Sequence, residues 1–446
     1  MRLWAKGTAR ARQDSLPFDN PFRSLTISVM LTPHLTRHAD GELAYEGVRL
    51  ADIASQFGTP TYVYSRATIV ENFRAYQSAF AASKPLICYA VKANSTLSVL
   101  ALLASEGAGF DIVSAGELQR VIAAGGDASK VIFSGVAKRS EEIALALSHN
   151  IHCFNVESEA ELYRVNEIAI ASGKRARITF RINPDVDAKT HPYISTGLKS
   201  NKFGVAHLDA VRLYTLAAGM RGIEVHGIEC HIGSQITELS PYVDALRRLL
   251  SLVDDLSARG IHLHHIDVGG GRGITYQDET MFSMKDFSQA VEREIAGHHL
   301  DLLLEPGRSI VGDAGLLLTR VEFLKPGETK NFALVDAGMN DLIRPTLYDA
   351  YHPVTAVLAR DGTPTIYDVV GPVCESGDWL ARERALVLEQ GDLLAVLCAG
   401  AYGMTMASNY NTRARPCEVM VDRDEANLIR ERERFEDLIA HERIVV

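Results

Sequence analysis

The sequence predicts an α/β barrel joined to an all-β domain. From about residue 64 to residue 310, short β-rich runs alternate with helical stretches, which is typical of α/β folds. Each of these runs ends in polar residues or glycine. After residue 310 the chain continues as strands punctuated by glycine and proline, without helices between them. These three observations together predict the fold class.

The first part of the chain contains eight β-rich runs. Amphipathic helices lie between them, such as 96–106 and 242–259, in which apolar residues recur at helical spacing. Eight β/α units in about 250 residues match a closed TIM-type (β/α)8 barrel. An open doubly wound sheet shows the same alternation, so the pattern alone leaves that alternative open. The eight runs are "LICYAVKAN", "GFDIVSAGE", "VIFSGVAK", "IHCFNVES", "RITFRINP", "VHGIECHIGSQ", "HHIDVGGG" and "DLLLEPGR".

The ends of the eight runs carry the residues that are able to do chemistry. In a (β/α)8 barrel the carboxyl ends of the strands build the active site, so these residues are expected to meet at one end of the barrel. They are Lys92, Asp111, Ser114, Glu157, Arg181, His231, the glycines 269–271 and Glu305. This common placement is a stronger signal than any single motif.

The pattern predicts four segments. Residues 1–30 are basic at first and lack the apolar stretch of a secretory signal, so we expect a disordered extension, with Met30 as a plausible functional start. Residues 64–310 are expected to form the barrel. Residues 311–446 are expected to form a sandwich-like or barrel-like β domain, and the strand-rich residues 31–63 to pack with it.

Composition narrows the classes of partner. The formal net charge of -10 argues against nucleic acid or an anionic membrane as a partner, since both bind basic surfaces. No apolar run of the sequence approaches the roughly 20 residues that span a bilayer. The six cysteines form no CxxC pair, which disfavours both a zinc cluster and a disulfide framework. We therefore expect a cytoplasmic protein without a bound metal.

Lys92 ends the buried strand that "CYAVKAN" predicts. Desolvation of an ammonium group is costly, so a lysine at this place needs a reason. A covalent bond to the aldehyde of a cofactor would supply one. A lysine at a strand end is also often a surface residue whose charged end reaches water, and position alone does not separate the two interpretations.

Two segments near the end of the predicted barrel suit an anionic cofactor. The glycines 269–271 follow an apolar strand, and their bare amides can hold phosphate, although glycine triplets also form plain turns. In barrels, the loops near strands seven and eight often bind phosphate. Glu305 begins "EPGRS", where a carboxylate can keep a pyridine nitrogen protonated. Arg308 can clamp an anion, or it can simply form an ion pair with Glu305.

Three further residues are candidates on weaker grounds. His231 closes the sixth run in "HIGSQ", where its ring can stack on a planar cofactor and Ser234 can hold phosphate. A single histidine at a strand end is more often a core residue with satisfied hydrogen bonds. Cys374 lies beside Glu375 in "GPVCESGD", after a strand of the β domain. Most single cysteines only pack, so spacing alone does not select Cys374.

Together these motifs resemble those of the fold-type III pyridoxal-phosphate (PLP) decarboxylases and, among them, the diaminopimelate decarboxylase family. The resemblance covers nearly all of residues 31–446. The motifs occur in the order typical of the family, and jointly they are highly specific. They are "YAVKAN", "FDIVSAGE", "HIGSQ", "DVGGG", "EPGRS", "GPVCESGD" and "GAYGMTMASNYN".

The resemblance implies a role for each matched residue. Lys92 would hold PLP covalently, His231 would stack on the pyridine ring, and Glu305 would pair with the ring nitrogen. Cys374 would donate the proton that completes the reaction. The cofactor-binding residues would be Lys92, Asp111, His231, Ser234, Gly270, Gly271, Glu305, Pro306, Gly307, Arg308 and Tyr402. The substrate-binding residues would be Arg308, Arg344, Tyr348, Glu375 and Tyr402.

The resemblance also implies the reaction, which is PLP-dependent decarboxylation of meso-2,6-diaminopimelate to L-lysine and carbon dioxide, the last step of lysine biosynthesis. The family is homodimeric, and Cys374 and Glu375 would reach the active site of the other subunit. The distal ammonium of the substrate suits Glu375, and its distal carboxylate suits Arg308 and Arg344. Because ornithine and arginine have no distal carboxylate, Arg344 in "MNDLIRP" favours diaminopimelate.

Other functions fit the residues less well. A decarboxylase of ornithine, arginine or a carboxylated polyamine such as carboxynorspermidine would share most of the motifs. Alanine racemase shares the barrel class, but "GPVCESGD" fits it poorly. A catalytically inactive relative that only binds a partner protein should have lost Lys92 or Cys374, and both are present.

Overall fold

The computed structural model describes residues 34–187, 196–197 and 201–446, so the predicted extension at 1–30 lies outside the described residues. The strands are β1 (Leu35–Arg37), β2 (Leu43–Tyr45), β3 (Val48–Arg49), β4 (Thr61–Ser65), β5 (Leu86–Ala90), β6 (Gly109–Ile112), β7 (Val131–Phe133), β8 (Cys153–Val156), β9 (Ala176–Asn183), β10 (Val205–Ala206), β11 (Ile223–Glu229), β12 (His265–Asp267), β13 (Asp301–Leu304), β14 (Gly315–Lys325), β15 (Asn331–Val335), β16 (Val354–Ala356), β17 (Thr365–Val370), β18 (Trp379–Leu386), β19 (Leu393–Val396), β20 (Cys417–Asp422) and β21 (Glu425–Arg430). The helices are α1 (Leu50–Phe57), α2 (Arg66–Ala79), α3 (Leu97–Ser105), α4 (Ala115–Ala123), α5 (Ser140–Ser148), α6 (Glu159–Ala171), α7 (His207–Ala218), α8 (Ser240–Ser257), α9 (Met284–Ile295), α10 (Arg308–Val311), α11 (Arg344–Tyr348) and α12 (Phe435–Ile439).

Eight parallel strands close into a barrel. They pair in chain order from β5 to β9 and then through β11, β12 and β13. β13 pairs with β5 and completes the ring. Each of the eight predicted runs contains one of these strands, so the predicted (β/α)8 barrel is confirmed and the open sheet is excluded. The short β10 pairs with β9 outside the ring.

Local sequence explains where several of the surrounding helices begin. The hydroxyls of Ser65, Ser114 and Ser158 each accept a hydrogen bond from the amide three residues later. Each bond satisfies a donor that the first turn of the helix otherwise leaves unpaired. α8 places one apolar stripe against its neighbours. The stripe includes Tyr242, Leu246, Leu249, Val253 and Leu256. Among the described helices, none is both long and apolar enough to cross a membrane.

A second sheet combines strands from both ends of the sequence. Its order is β18-β17-β15-β14-β4-β20-β21, and β19 pairs with both β14 and β16. β4 comes from the amino-terminal region, and it pairs antiparallel with β14 and parallel with β20. The β domain therefore takes up the amino-terminal strand region, as the predicted fold class requires. A small antiparallel sheet of β1, β2 and β3 lies beside it, where the amide of Leu43 donates to the carbonyl of Val357.

Hydrogen bonds tie the β domain to the carboxyl end of β5. The amide of Tyr402 donates to the carbonyl of Ala93 at 2.8 Å. The side chain of Asn94 donates to the carbonyl of Gly400 at 3.2 Å. The loop that carries Tyr402 is thereby held next to the segment that carries Lys92, so the barrel and the β domain both contribute to the surface at this end.

Candidate active site

Lys92 lies in a short 3-10 turn that directly follows β5. Its Nζ donates to Oδ2 of Asp111 at 2.6 Å, and Asp111 is fully buried at the end of β6. Burial alone would lower the pKa of the lysine, but the carboxylates of Asp111 and Glu305 outweigh burial and raise the pKa. The side chain of Lys92 is 34% exposed, so a ligand can reach it from solvent, while the hydrogen bond to Asp111 fixes the position of its amine.

Three further buried carboxyl groups lie at the carboxyl ends of β11, β12 and β13. Glu229 ends β11, Asp267 ends β12 and Glu305 follows β13. Burial, together with the neighbouring carboxylates, raises the pKa of Asp267 to about 7 and that of Glu229 to about 8, although the guanidinium of Arg181 opposes the shift at Glu229. Burial, and then Asp111, raises the pKa of Glu305 well above its usual range. The site is thus an acidic cluster that retains protons near neutral pH.

Glu305 is held in contact with the residues of the sixth and fourth strands. Its Oε1 accepts a hydrogen bond from the side-chain Nδ2 of Asn155 at 3.4 Å, and its Oε2 lies 3.8 Å from Nδ1 of His231. The alternative in which Glu305 forms an ion pair with Arg308 is wrong, because the guanidinium of Arg308 has other partners, Tyr276 and Ser234.

His231 is a neutral imidazole in this site. Burial lowers its pKa well below the usual value, and the nearby charges of Arg181 and Lys92 lower it further. Its Nδ1 accepts a hydrogen bond from the amide of Gly270 at 3.2 Å, so the ring orientation is fixed by the glycine turn. A neutral, fixed ring at the edge of the site can lie against a flat aromatic ligand.

Close approaches of the backbone explain the glycines. A Cβ on Gly270 would lie 2.0 Å from the carbonyl oxygen of Glu305, and a Cβ on Gly271 would lie 2.2 Å from that of Gly233. Gly271 also has a φ of +96°, which side-chain-bearing residues rarely adopt. At Gly307 a Cβ would lie 3.0 Å from that of Ala90. The loops that follow the sixth, seventh and eighth strands therefore meet as bare backbone, and Pro306 belongs to this wall because its carbonyl accepts from the amide that ends β5.

Arg308 is buried in the wall of the site and is held by several aromatic and hydroxyl groups. One terminal nitrogen donates to the hydroxyl of Tyr276 at 2.7 Å, and the other donates to Oγ of Ser234 at 3.0 Å. The ring of Tyr402 lies 5.0 Å from the guanidinium. Nε of Arg308 is buried without a hydrogen-bond partner among the described residues. This unsatisfied donor is available to an anionic ligand.

Arg344 opens α11 and is 5% exposed. Its guanidinium lies 5.0 Å from the ring of Tyr276, the same ring that contacts Arg308. Within the part of the chain that the structure describes, Arg344 forms no ion pair, so the alternative pairing with Asp341 or Asp349 is wrong. Tyr348 ends α11, is half-buried, and lies close enough to help raise the pKa of Arg308.

Cys374 and Glu375 have exposed side chains in the loop between β17 and β18. The amide of Cys374 donates to Oδ1 of Asn411 at 3.2 Å, and Oε1 of Glu375 accepts from the hydroxyl of Tyr410 at 2.5 Å. These contacts lie within the β domain, and neither side chain forms a hydrogen bond or an ion pair with Lys92 in the part of the chain that the structure describes.

Sequence reasoning missed several residues that the structure places in the site. Glu229 and Asp267 lie within apolar runs of the sequence, where a single charged residue resembles a solvent-facing position of an ordinary strand. Their one signal is that each lies two residues before a residue already chosen, Glu229 before His231 in "ECHIGSQ" and Asp267 before Gly269 in "DVGGG". The other missed residues, Asn155, Tyr276 and His352, have no comparable signal, because only the fold brings them close.

The comparisons with known proteins agree with this geometry. The family described as "Pyridoxal-dependent decarboxylase, pyridoxal binding domain" matches residues 66–312. Fold and site thus define a pyridoxal-dependent decarboxylase of the barrel type. Among curated relatives, the diaminopimelate decarboxylase of Pseudomonas aeruginosa is 55% identical over 92% of this chain and 98% of its own length. That of Neisseria meningitidis is 56% identical over 89% of this chain and 96% of its own length.

A solved structure points the same way. Diaminopimelate decarboxylase from Helicobacter pylori, complexed with L-lysine, superposes with a TM-score of 0.85 and is 43% identical, covering 88% of this chain and 98% of that one. The matches extend through the β domain as well as the barrel. The chain belongs to the diaminopimelate decarboxylase family.

Proposed function

We propose that this protein binds PLP and decarboxylates meso-2,6-diaminopimelate to L-lysine and carbon dioxide, the last step of lysine biosynthesis. The observation that carries the proposal is the buried guanidinium of Arg344, which has no carboxylate partner among the described residues and lies beside the site of Lys92 and Arg308. A buried cation of this kind calls for an anion from the ligand. The distal carboxylate of diaminopimelate is such an anion, and ornithine and arginine lack it.

The residues present fit PLP. Asp111 Oδ1 and Arg308 Nε are buried polar atoms without partners in the described structure, and the loops around Gly270 and Gly271 meet as bare backbone, the kind of turn that binds phosphate. Lys92 would hold the cofactor covalently through its amine. The phosphate would be bound by Ser234, Gly271, Gly307, Arg308 and Tyr402, and Gly270 and Pro306 would line the cofactor site. When bound, PLP supplies an electron sink for the electron pair that remains when a carboxylate leaves as carbon dioxide.

The acidic cluster would keep the cofactor in its useful protonation state. Glu305 retains a proton because burial raises its pKa, so its carboxyl can share that proton with a ring nitrogen. His231 cannot compete for the proton at neutral pH, because burial lowers its pKa. His231 would therefore lie flat against the ring as a neutral partner. Asp111 would neutralise and orient the amine of Lys92.

Substrate would be oriented by charge. The guanidinium groups of Arg308 and Arg344 lie 5.9 and 5.0 Å from the ring centroid of Tyr276, and both would bind one carboxylate of the substrate. Tyr348 and Tyr402 would complete this part of the pocket, and Glu375 would bind the distal ammonium. Because these residues would bind the distal ammonium and carboxylate of diaminopimelate, the carboxylate at the other end of the substrate would be the one that is lost.

Cys374 would donate the proton that replaces the departing carboxylate. Because the thiol is exposed and its loop contacts only the β domain, we propose that the protein is a homodimer in which Cys374 and Glu375 complete the site of the other subunit. Two-fold symmetry makes such an exchange reciprocal, so each dimer would carry two equivalent sites.

The proposal is tested by measuring carbon dioxide release from a panel of amino acids. The panel contains meso-diaminopimelate, lysine, ornithine, arginine and carboxynorspermidine. We expect kcat/KM for meso-diaminopimelate to exceed that for each other compound by at least about 100-fold, since a site built for a charged group rejects substrates that lack it. Faster release from ornithine or carboxynorspermidine would contradict the proposed substrate while leaving a PLP decarboxylase intact.

A further inference from the structure

Four histidines gather at the amino-terminal end of the barrel strands, opposite the active site. His152 and His264 directly precede β8 and β12, His265 begins β12, and His226 lies within β11. The centroids of the contacting rings are 4.8 to 5.7 Å apart. The four rings and Asp301 line a cavity of 190 Å³. The proposed decarboxylation uses none of these residues.

Three metal-ligating atoms converge beside this cavity. One atom from each of His152, Cys153 and His265 lies within 4.8 Å of the other two. Cys153 and His265 are almost completely buried, at 1% and 2% exposure. Nε2 of His152 and Nδ1 of His265 are buried atoms without a hydrogen-bond partner among the described residues. Buried polar atoms are nearly always satisfied, so these two call for a ligand.

Thr179 determines which nitrogen of His265 is free. Its hydroxyl donates to Sγ of Cys153 at 3.5 Å, so its oxygen is left to accept from Nε2–H of His265 at 2.9 Å. The proton on Nε2 leaves the lone pair on Nδ1, the atom that lacks a partner. Metal-ligating histidines are commonly held in this way through the second nitrogen. Gly227 makes room for the ring, because a Cβ there would lie 2.2 Å from Nε2.

We propose that this cluster binds a zinc-type divalent ion, with His152, Cys153 and His265 as three ligands and His226 as the fourth. Imidazole and thiolate are the ligands of four-coordinate zinc sites. The ring of His226 lies 5.7 Å from that of His152 and 5.3 Å from that of His265, and its side chain would have to rotate to coordinate the ion. The spacing of the cysteines does not predict this site. His152 and Cys153 are adjacent in the chain, but His226 and His265 come from other strands, and only the closed barrel brings them together. The ion would tie β8, β11 and β12 at the base of the barrel.

The test is a calorimetric titration of the chelator-treated holoenzyme with Zn²⁺. We expect one tightly bound ion per chain and release of a proton from Cys153, which is measured by comparing buffers of different ionisation enthalpy. His152→Asn and His226→Asn should each weaken binding by about 100-fold or more, since even residues that only orient a ligand cost up to about that factor. Both histidines are partly exposed, and circular dichroism checks that the variants remain folded. His441→Asn, an exposed histidine near the carboxyl terminus, should bind as wild type does.

Co²⁺ identifies the ligands directly. We expect the Co²⁺-loaded holoenzyme to show a thiolate charge-transfer band that disappears in Cys153→Ser. Zinc binding that persists in both histidine variants but is lost in Cys374→Ser would assign the ion to the active site and overturn the proposal. A wild-type protein that takes up no stoichiometric Zn²⁺ would overturn it as well. Carbon dioxide release should be unchanged by Zn²⁺, which separates this inference from the proposed decarboxylation.

Discussion

The buried guanidinium of Arg344 donates a hydrogen bond to His352, and it has no carboxylate partner among the described residues. Its terminal nitrogen lies 2.8 Å from Nε2 of His352, whose Nδ1 lies 2.9 Å from the carbonyl oxygen of Leu397. Because the carbonyl can only accept, Nδ1 carries the proton and Nε2 accepts from Arg344. Burial, followed by the charge of Arg344, lowers the pKa of His352 well below its usual value, so the ring stays neutral. Arg344 is thus oriented while its charge remains uncompensated.

Arg344→Ala should therefore act on the substrate more than on the fold. Loss of one partner from a buried charge pair costs about 2–5 kcal/mol, so kcat/KM for meso-diaminopimelate should fall by at least about thirtyfold. The visible absorbance of the bound cofactor should stay unchanged, because Arg344 is proposed to contact substrate alone. Steady-state kinetics with the spectrum of the purified variant measures both effects.

A substrate analogue without the distal carboxylate supplies the control for Arg344. With that analogue, wild type and Arg344→Ala should react at similar rates, because the contact is absent in both. Equal losses on diaminopimelate and on the analogue would refute the assigned role. Arg139→Ala, which changes a largely exposed arginine at the start of α5, should leave both rates unchanged.

The sequence predicts the barrel and the strand ends well because both follow from local pattern. Lys92 and Glu305 stand out since charged residues at the ends of apolar runs need a physical reason, and the closed ring then brings them together. Asp267 was missed because a single acid in a three-residue strand resembles ordinary alternation. The contact between Arg344 and His352 depends on how α11 turns back on the β domain, and no residue pattern encodes that geometry.

Lys92→Ala should abolish covalent attachment of the cofactor and nearly all turnover, because the only amine at the end of β5 is removed. Borohydride reduction followed by peptide mass analysis measures attachment: wild type should carry the cofactor on the peptide that contains Lys92, and the variant should carry none. Lys130→Ala changes a partly exposed lysine that precedes β7, and this variant should carry the cofactor on the Lys92 peptide as wild type does. A reducible adduct at another lysine of the Lys92→Ala variant would contradict the assignment.

The acidic cluster should make the cofactor-free protein less stable as the pH rises. Asp267 has a pKa of about 7 when folded against an ordinary value of 3.8, since burial and then its acidic neighbours disfavour the charge. Below about pH 4 both states are protonated and there is no cost. Between about pH 4 and about pH 7 only the unfolded chain ionises, so the free energy of unfolding falls as the pH rises through this range.

Asp267→Asn should therefore flatten the pH dependence of the melting temperature between about pH 4 and about pH 7. Thermal denaturation of the cofactor-free proteins measures it, and the exposed Asp278→Asn serves as the matched control that keeps the wild-type slope. An Asp267→Asn variant whose melting temperature falls with pH as steeply as that of wild type would show that the carboxyl is already ionised at the lower pH.

Complementation tests whether the active site is shared between subunits. Lys92→Ala and Cys374→Ala are each expected to be nearly inactive, because one lacks the amine that holds the cofactor and the other lacks the proton donor. In a mixed dimer, one site receives both defects and the other receives neither, provided that Cys374 acts across the two-fold axis. Random exchange in an equal mixture makes half of the dimers mixed, so activity should recover to about a quarter of the wild-type value.

Subunit exchange is verified separately by mass spectrometry with one isotope-labelled variant. The same mixture prepared from Lys92→Ala and a Lys92→Ala, Cys374→Ala double variant should stay inactive, since every site then lacks Lys92. If exchange is complete and the first mixture also stays inactive, Lys92 and Cys374 act within one chain, and the exposed loop of Cys374 must then move toward the barrel of its own subunit.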